Sequence, residues 1–429
     1  MARTLLKNGR VVDPASSRDG IADVLVDNGR IAAVGRNLGE SGSEVFDASG
    51  LVVAPGFIDM HVHLREPGFG HVETIETGSR AAAAGGFTTI CAMPNSEPVN
   101  DNATVTSYIV DRARRFAVVN VLPIGAITKG SAGEELPGYG SMKSAGVVAI
   151  SDDGRPVMNS RVMRRAMEFA RELGLVVIDH CEDLALSAGG DMHEGFESVR
   201  CGLRGIPGCS EDIMVARDIL LAEATGARFH VAHVSTRRSV QMVAGAKARD
   251  VHVTAEATPH HMALCDAAMP PYDSNFKMKP PLRTADDVAG VVEGLVSGVI
   301  DAIATDHAPH AGSEKMQEFE RCPFGIIGLE TALAVALEVL VHSGKMPLMR
   351  LVELMSLGPA RVLKLDRGTL SPGAVADITM FDPELVWTYD VNRSFSKSRN
   401  TPFDGRTFRG APAATMVNGK FVWSRDKEF

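Results

Sequence analysis

From Pro55 onward the chain alternates short apolar runs with Ala-rich or charged helical stretches, and this rhythm limits the possible folds more than any other feature. Runs of strand length lie at 56–63, 86–93, 119–127, 146–151, 175–180, 228–234, 251–257 and 300–305. Parallel strands need a crossover between them, usually a helix. Eight such units predict a closed (β/α)8 TIM-type barrel. Before Pro55 the texture differs: candidate strands at 4–7, 11–12, 21–26, 31–34, 44–47 and 51–53 are separated by the turn signals Asn8-Gly9, Asp27-Asn28-Gly29 and Ser49-Gly50, read as hairpin and turn dipeptides. Turn-rich strands return at 378–381, 414–417 and 421–423. The simplest arrangement joins both ends in one small β-sandwich beside the barrel, because chain ends often lie close together. The expected division is 1–54 and 363–429 for the sandwich and 55–362 for the barrel.

Composition narrows the partners. With 45% apolar and 23% charged residues the chain reads as a soluble globular protein, and a net charge of −9 gives no pull toward phosphate backbones or anionic lipid. Nucleic acid and membrane are therefore excluded as expected partners. The six cysteines include no C-x-x-C pair, which suits free thiols in a reducing compartment. The N-terminus turns polar at Lys7 before a signal-peptide core forms, so the expected location is the cytoplasm.

The chemistry lies at the strand ends, where a barrel places its reacting groups. The first barrel strand ends Asp59-Met60-His61-Val62-His63, and alternation along a strand points His61 and His63 the same way. Alone, such a pair is as often two ordinary histidines as a metal grip. The other strand ends add Asp152-Asp153, His180, His233 and Asp306-His307. Six nitrogen and oxygen ligands from five strand ends match what two divalent ions of the zinc type require. Lys143, the lysine nearest the fourth strand, precedes that strand and lies at the end away from these residues.

These motifs, with Leu64-Arg65-Glu66-Pro67-Gly68, Met93-Pro94-Asn95, Thr305-Asp306-His307-Ala308-Pro309-His310 and Pro323-Phe324-Gly325 through Thr331, closely resemble bacterial class I dihydroorotase of the amidohydrolase superfamily. The resemblance spans nearly the whole chain. It implies two zinc ions per subunit: one held by His61, His63 and Asp306, the other by His180 and His233, with an aspartate of the fourth strand bridging. Spacing matches the family at Asp153, while Asp152 faces the other way. The implied reaction is the reversible cyclisation of N-carbamoyl-L-aspartate to L-dihydroorotate in pyrimidine synthesis, with Asp306 as general base and acid.

The resemblance further implies that His63, Arg65, Asn95 and His310 bind the substrate, the last three holding its carboxylate, and that main-chain groups of Phe324 and Gly325 meet the pyrimidine ring. One position departs from the family: Lys279 stands before Pro280-Pro281 where an asparagine commonly contacts substrate. The lysine either donates to the substrate or swings out. Residues 311–322, bracketed by substrate positions, are expected to form a mobile lid, and His260 and His261 to pack behind the site. Family habit implies a homodimer and allows association with aspartate carbamoyltransferase. The rival readings are a hydantoinase or allantoinase on the same barrel, and a non-catalytic dihydroorotase-like scaffold; all six ligand positions being filled argues against the scaffold.

Overall fold

The computed structural model, which describes residues 3–426, begins with five strands: β1 (Arg3–Asp13), β2 (Arg18–Asp27), β3 (Arg30–Gly35), β4 (Ser43–Asp47) and β5 (Val52–Pro55). Asn8-Gly9 is not a hairpin turn. β1 runs straight through it with a bulge, Asn8 taking φ 61°, and Asp23 on β2 accepts from the displaced Asn8 N–H at 2.9 Å. A side chain at Gly9 would lie 2.5 Å from Val53, so the bulge also lets β1 approach the strand beside it.

The barrel strands follow in the expected places: β6 (Phe57–Val62), β7 (Phe87–Ala92), β8 (Asn120–Gly125), β9 (Ala149–Ile150) and β10 (Val176–Asp179). A two-stranded excursion, β11 (Met192–His193) and β12 (Gly205–Ile206), precedes β13 (Arg228–Val231), β14 (Val253–Ala257) and β15 (Ala302–Ile303). The order β15-β14-β13-β10-β9-β8-β7-β6, with every pair parallel, is a barrel wound in sequence order. β6 and β15 meet only at the mouth, where Val62 bridges His307 and His63 N–H donates to His307 C=O at 2.9 Å. Asp59 latches the same seam, accepting from the Thr305 hydroxyl at 2.6 Å and the Thr305 N–H at 3.1 Å.

The helices face the strands through apolar stripes. In Ser160–Glu172 the buried residues Met163, Ala166, Met167 and Ala170 recur at helical spacing, and Asn159 caps the first turn by accepting from Arg161 N–H. Met60, Cys91, Ile124, Ala149, Ile178 and Ala302, drawn from six barrel strands, form an inner cluster with Val362 and Leu363.

The chain ends in β16 (Ile378–Thr388), β17 (Thr407–Val417) and β18 (Lys420–Ser424). Both termini meet in one mixed sheet of order β18-β17-β16-β5-β1-β2-β3, with β4 beside β1. The joint is the antiparallel pair β5–β16, from which β5 leads directly into β6. Thr379 and Thr415 fasten this sheet to the barrel by donating to Gly86 and Ala83 carbonyls at 2.6 and 2.7 Å.

Candidate metal centre

The strand ends bring four imidazoles to one carboxylate. Asp153 Oδ1 lies 3.2 Å from His61 Nε2 and 3.7 Å from both His180 Nδ1 and His233 Nε2, while its Oδ2 is 3.4 Å from His63 Nε2. Asp306 Oδ1 approaches the same centre, 3.0 Å from His63 Nε2 and 3.5 Å from His61 Nε2. Three overlapping triads result, His61/His63/Asp153, His61/His233/Asp306 and Asp153/His180/His233, each with its ligand atoms within 4.8 Å and all buried.

Two observations fit this set to metal. His61 Nε2 and Asp153 Oδ1 are buried without a hydrogen bond of acceptable geometry although they face each other, which in a packed interior leaves both needing a partner. The imidazole nitrogens of His180 and His233 also face each other at 2.9 Å. Burial alone would push His61 down and Asp153 and Asp306 up; instead the carboxylates raise His61, and the imidazoles hold both aspartates well below the usual range. A cation entering would replace those protons.

Three of the four imidazoles are aimed by a second partner, whereas His233 Nδ1 is buried without one. His61 Nδ1 donates to Glu256 at 2.8 Å, and Glu256 also meets His230 Nε2 at 3.2 Å. His180 Nε2 donates to Glu182 at 2.9 Å, and His63 Nδ1 to Asn95 Oδ1 at 2.8 Å. A ligating imidazole characteristically gives its other N–H to such an acceptor. His233 and Asp306 carry φ values of 32° and 49°, a left-handed conformation that non-glycine residues hold at some cost and that clusters at functional sites.

Asp152 points away. It accepts from Ile127 N–H at 2.8 Å, Thr128 N–H at 3.1 Å and the Thr128 hydroxyl, and burial raises it to about 6. Lys143 is exposed and donates to Leu173 C=O, away from the cluster.

Around the rim, Arg65 (φ 58°) donates through Nε to Pro309 C=O at 3.1 Å, and its Nη2 lies 3.4 Å from His310 Nε2. His310 Nε2 donates to Phe324 C=O at 2.8 Å; burial and the Arg65 charge push this imidazole down to about 3, so it is neutral. Asn95 also donates to Asp153 Oδ2 at 3.4 Å. Gly325 has φ 127°, and an added side chain would sit 2.7 Å from Ala308 Cβ. Lys279 faces inward, 2.9 Å from Glu182 Oε1 and 5.2 Å from the Phe324 ring centre, on a cleft of about 490 Å³ shared with Arg204 and Gly190.

The stretch 311–322 is anchored as well as surface-lying: the buried Lys315 ammonium donates to carbonyls of Lys277, Pro323 and Gly325 at 3.3, 2.9 and 3.1 Å, while Met316 is exposed. His261 donates to Pro280 C=O at 2.9 Å and lies against His260 with the rings tilted by 53°, both pushed down by burial, which is packing behind the site.

Sequence reasoning missed Glu256, Glu182 and Asn400. Asn400, from the C-terminal segment, donates to Ala308 and Gly325 carbonyls at 3.0 Å each and accepts from His310 N–H at 3.2 Å. A buried-strand pattern carrying a carboxylate, as in β14 (Val253-Thr254-Ala255-Glu256-Ala257), was the available signal for Glu256.

Comparisons with known proteins identify the family. The family model described as Dihydro-orotase-like matches residues 50–239. The chain is 68% identical over 421 residues to the dihydroorotase of Solibacter usitatus and 56% identical over 420 residues to that of Pelotomaculum thermopropionicum, with 98% of each chain covered. Among solved structures, an L-hydantoinase from Arthrobacter aurescens superposes with a TM-score of 0.89 at 26% identity, covering 100% of this chain and 98% of that one. On fold, site and near-complete likeness to these relatives, the chain belongs to the dihydroorotase family of the amidohydrolase superfamily.

Proposed function

We propose that the chain interconverts L-dihydroorotate and N-carbamoyl-L-aspartate through a two-zinc site. His61, His63 and Asp306 would hold one ion and His180 and His233 the other, with the Asp153 carboxylate placed between the two sets. When bound, such ions supply Lewis acidity, lowering the pKa of water and polarising a carbonyl.

In the hydrolytic direction water adds to a ring carbonyl carbon while Asp306 accepts its proton. Asp306 then gives that proton to the ring nitrogen as the carbon–nitrogen bond breaks. The product has a new carboxylate and the overall step releases one proton; ring closure reverses each transfer. Arg65, Asn95 and His310 bind the retained carboxylate, His63 and Lys279 contact the substrate, and main-chain groups of Phe324 and Gly325 meet the ring. A neutral His310 donates without adding charge, and Arg65 supplies the guanidinium that a carboxylate favours.

The observation that carries this reading is the single carboxylate of Asp153 faced by four imidazoles, with Asp306 alongside and Arg65 at the rim. Metal analysis coupled to assays with dihydroorotate, hydantoin and allantoin tests it. Zinc-dependent turnover of dihydroorotate is expected; turnover of hydantoin without dihydroorotate contradicts it.

The same reading divides the chain at 1–54, 55–362 and 363–429, supported by β5 ending at Pro55 and a helix ending at Leu363. It places the enzyme in the cytoplasm as a homodimer. Six unpaired cysteines support the location, and the exposed side chains of Phe196 (78%), Val199 (82%) and Leu220 (63%) support a covered surface. No helix among the described residues is long and apolar enough to cross a membrane. Association with aspartate carbamoyltransferase is the further partner proposed, and co-elution of the two purified proteins tests it.

A further inference from the structure

Glu182 has no part in the reaction as described, yet it touches both sides of the site. Its side chain is 6% exposed and its two oxygens face opposite ways. Oε2 accepts from His180 Nε2 at 2.9 Å, which leaves His180 Nδ1 free to face Asp153 and His233. Oε1 lies 2.9 Å from the Lys279 ammonium but without hydrogen-bond geometry, so charge rather than a directed bond holds the lysine. Lys279, 26% exposed beside the Phe324 ring, can therefore turn toward an anion entering the cleft without leaving its counterion.

We propose that Glu182 is a positioning residue linking metal side to mouth: it fixes the ligating face of His180 and holds Lys279 where the ammonium favours the doubly charged open-chain substrate over the singly charged ring. This deepens the functional reading above and rests on it. The open-chain compound carries two carboxylates and the ring one, so a single positive charge at the mouth acts on one more negative charge in the former. At about 7 Å and an intermediate effective dielectric of about 40, one such interaction is worth about five- to tenfold in binding. Because the equilibrium between the two compounds is fixed, kcat/KM must change equally in both directions. The selectivity therefore appears as a divergence of the two KM values, compensated in kcat.

The test measures KM in both directions and zinc retained after dialysis against a chelator, for wild type, Lys279→Met and Glu182→Gln. Lys279→Met is expected to raise KM for N-carbamoyl-L-aspartate about five- to tenfold more than KM for dihydroorotate, with zinc retention as in wild type. Glu182→Gln is expected to weaken zinc retention about tenfold or more, since His180 loses its charged acceptor. Equal KM shifts in Lys279→Met, or wild-type zinc retention in Glu182→Gln, overturns the proposal. A zinc-loaded wild type that turns over neither compound overturns instead the functional reading, and the proposal with it.

Discussion

Replacing Glu256 by glutamine probes the support of the metal centre without touching substrate. Glu256 is fully buried between His61 and His230, and these two imidazoles hold it at about 2 against an ordinary 4.5, although burial alone would raise it. At 1.36 kcal/mol per tenfold that displacement is worth on the order of 3 kcal/mol, within the range of about 3–5 kcal/mol for breaking a buried ion pair. Glutamine keeps the shape and one acceptor, so a loss of ~2–3 kcal/mol is expected. With an unfolding entropy of about 2.1 cal/mol/K per residue over a chain of this length, the thermal midpoint should fall by ~3 °C. Because the carboxylate is depressed in the folded state, its contribution is present above its unfolded value and fades as pH falls toward 2; the gap between the two proteins should close over that window. Zinc affinity should drop about 10- to 100-fold, as His61 loses the acceptor that aims it. Scanning calorimetry of the chelated proteins and zinc competition with a chromophoric chelator measure both. A midpoint within about 1 °C of wild type together with zinc affinity within about twofold would refute the reasoning.

Three further outcomes follow from particular contacts. Glu73 is buried and held below its ordinary value because hydrogen bonds from His307, Ser396 and Thr77 outweigh burial, so Glu73→Gln should cost stability at neutral pH and lose that deficit as pH falls below 4.5, read from urea midpoints across pH. Gly325→Ala places a methyl 2.7 Å from Ala308 and 3.1 Å from His310 Nε2 in a left-handed conformation, and should raise KM for dihydroorotate by about tenfold or more in steady-state assays. Asp306→Asn should lower kcat by about 10²- to 10⁴-fold with the fold intact by circular dichroism, and retained turnover would remove the proton-transfer role.

The candidate ligand positions were legible as a cluster because strand alternation and the barrel's polarity force polar residues at successive strand ends to converge. His61, His63, Asp153, His180, His233 and Asp306 come together as that rule requires. The residues that aim them were not legible, because their partners are set by three-dimensional neighbourhood rather than by spacing. Glu256 is 195 positions from His61, and Asn400 reaches the rim from a segment beyond the barrel. Lys279 shows the same limit: its two sequence alternatives differ only in where an ammonium points, and Glu182, the carboxylate it faces, shares no local motif with it. At the N-terminus Asn8-Gly9 has the chemistry of a hairpin turn, but pairing with β2 continues on both sides of it, and the strand absorbs the extra residue as a bulge.

Under the proposed function, Asp153 would join two ion sites into one working centre. That claim is tested most directly by titrating zinc into chelated protein while following dihydroorotate turnover, for wild type and Asp153→Asn. Activity in the wild type should rise to a plateau at about two equivalents per chain, and the variant should neither take up the second ion tightly nor reach that activity. A plateau at one equivalent, or a variant that titrates like wild type, would contradict the account.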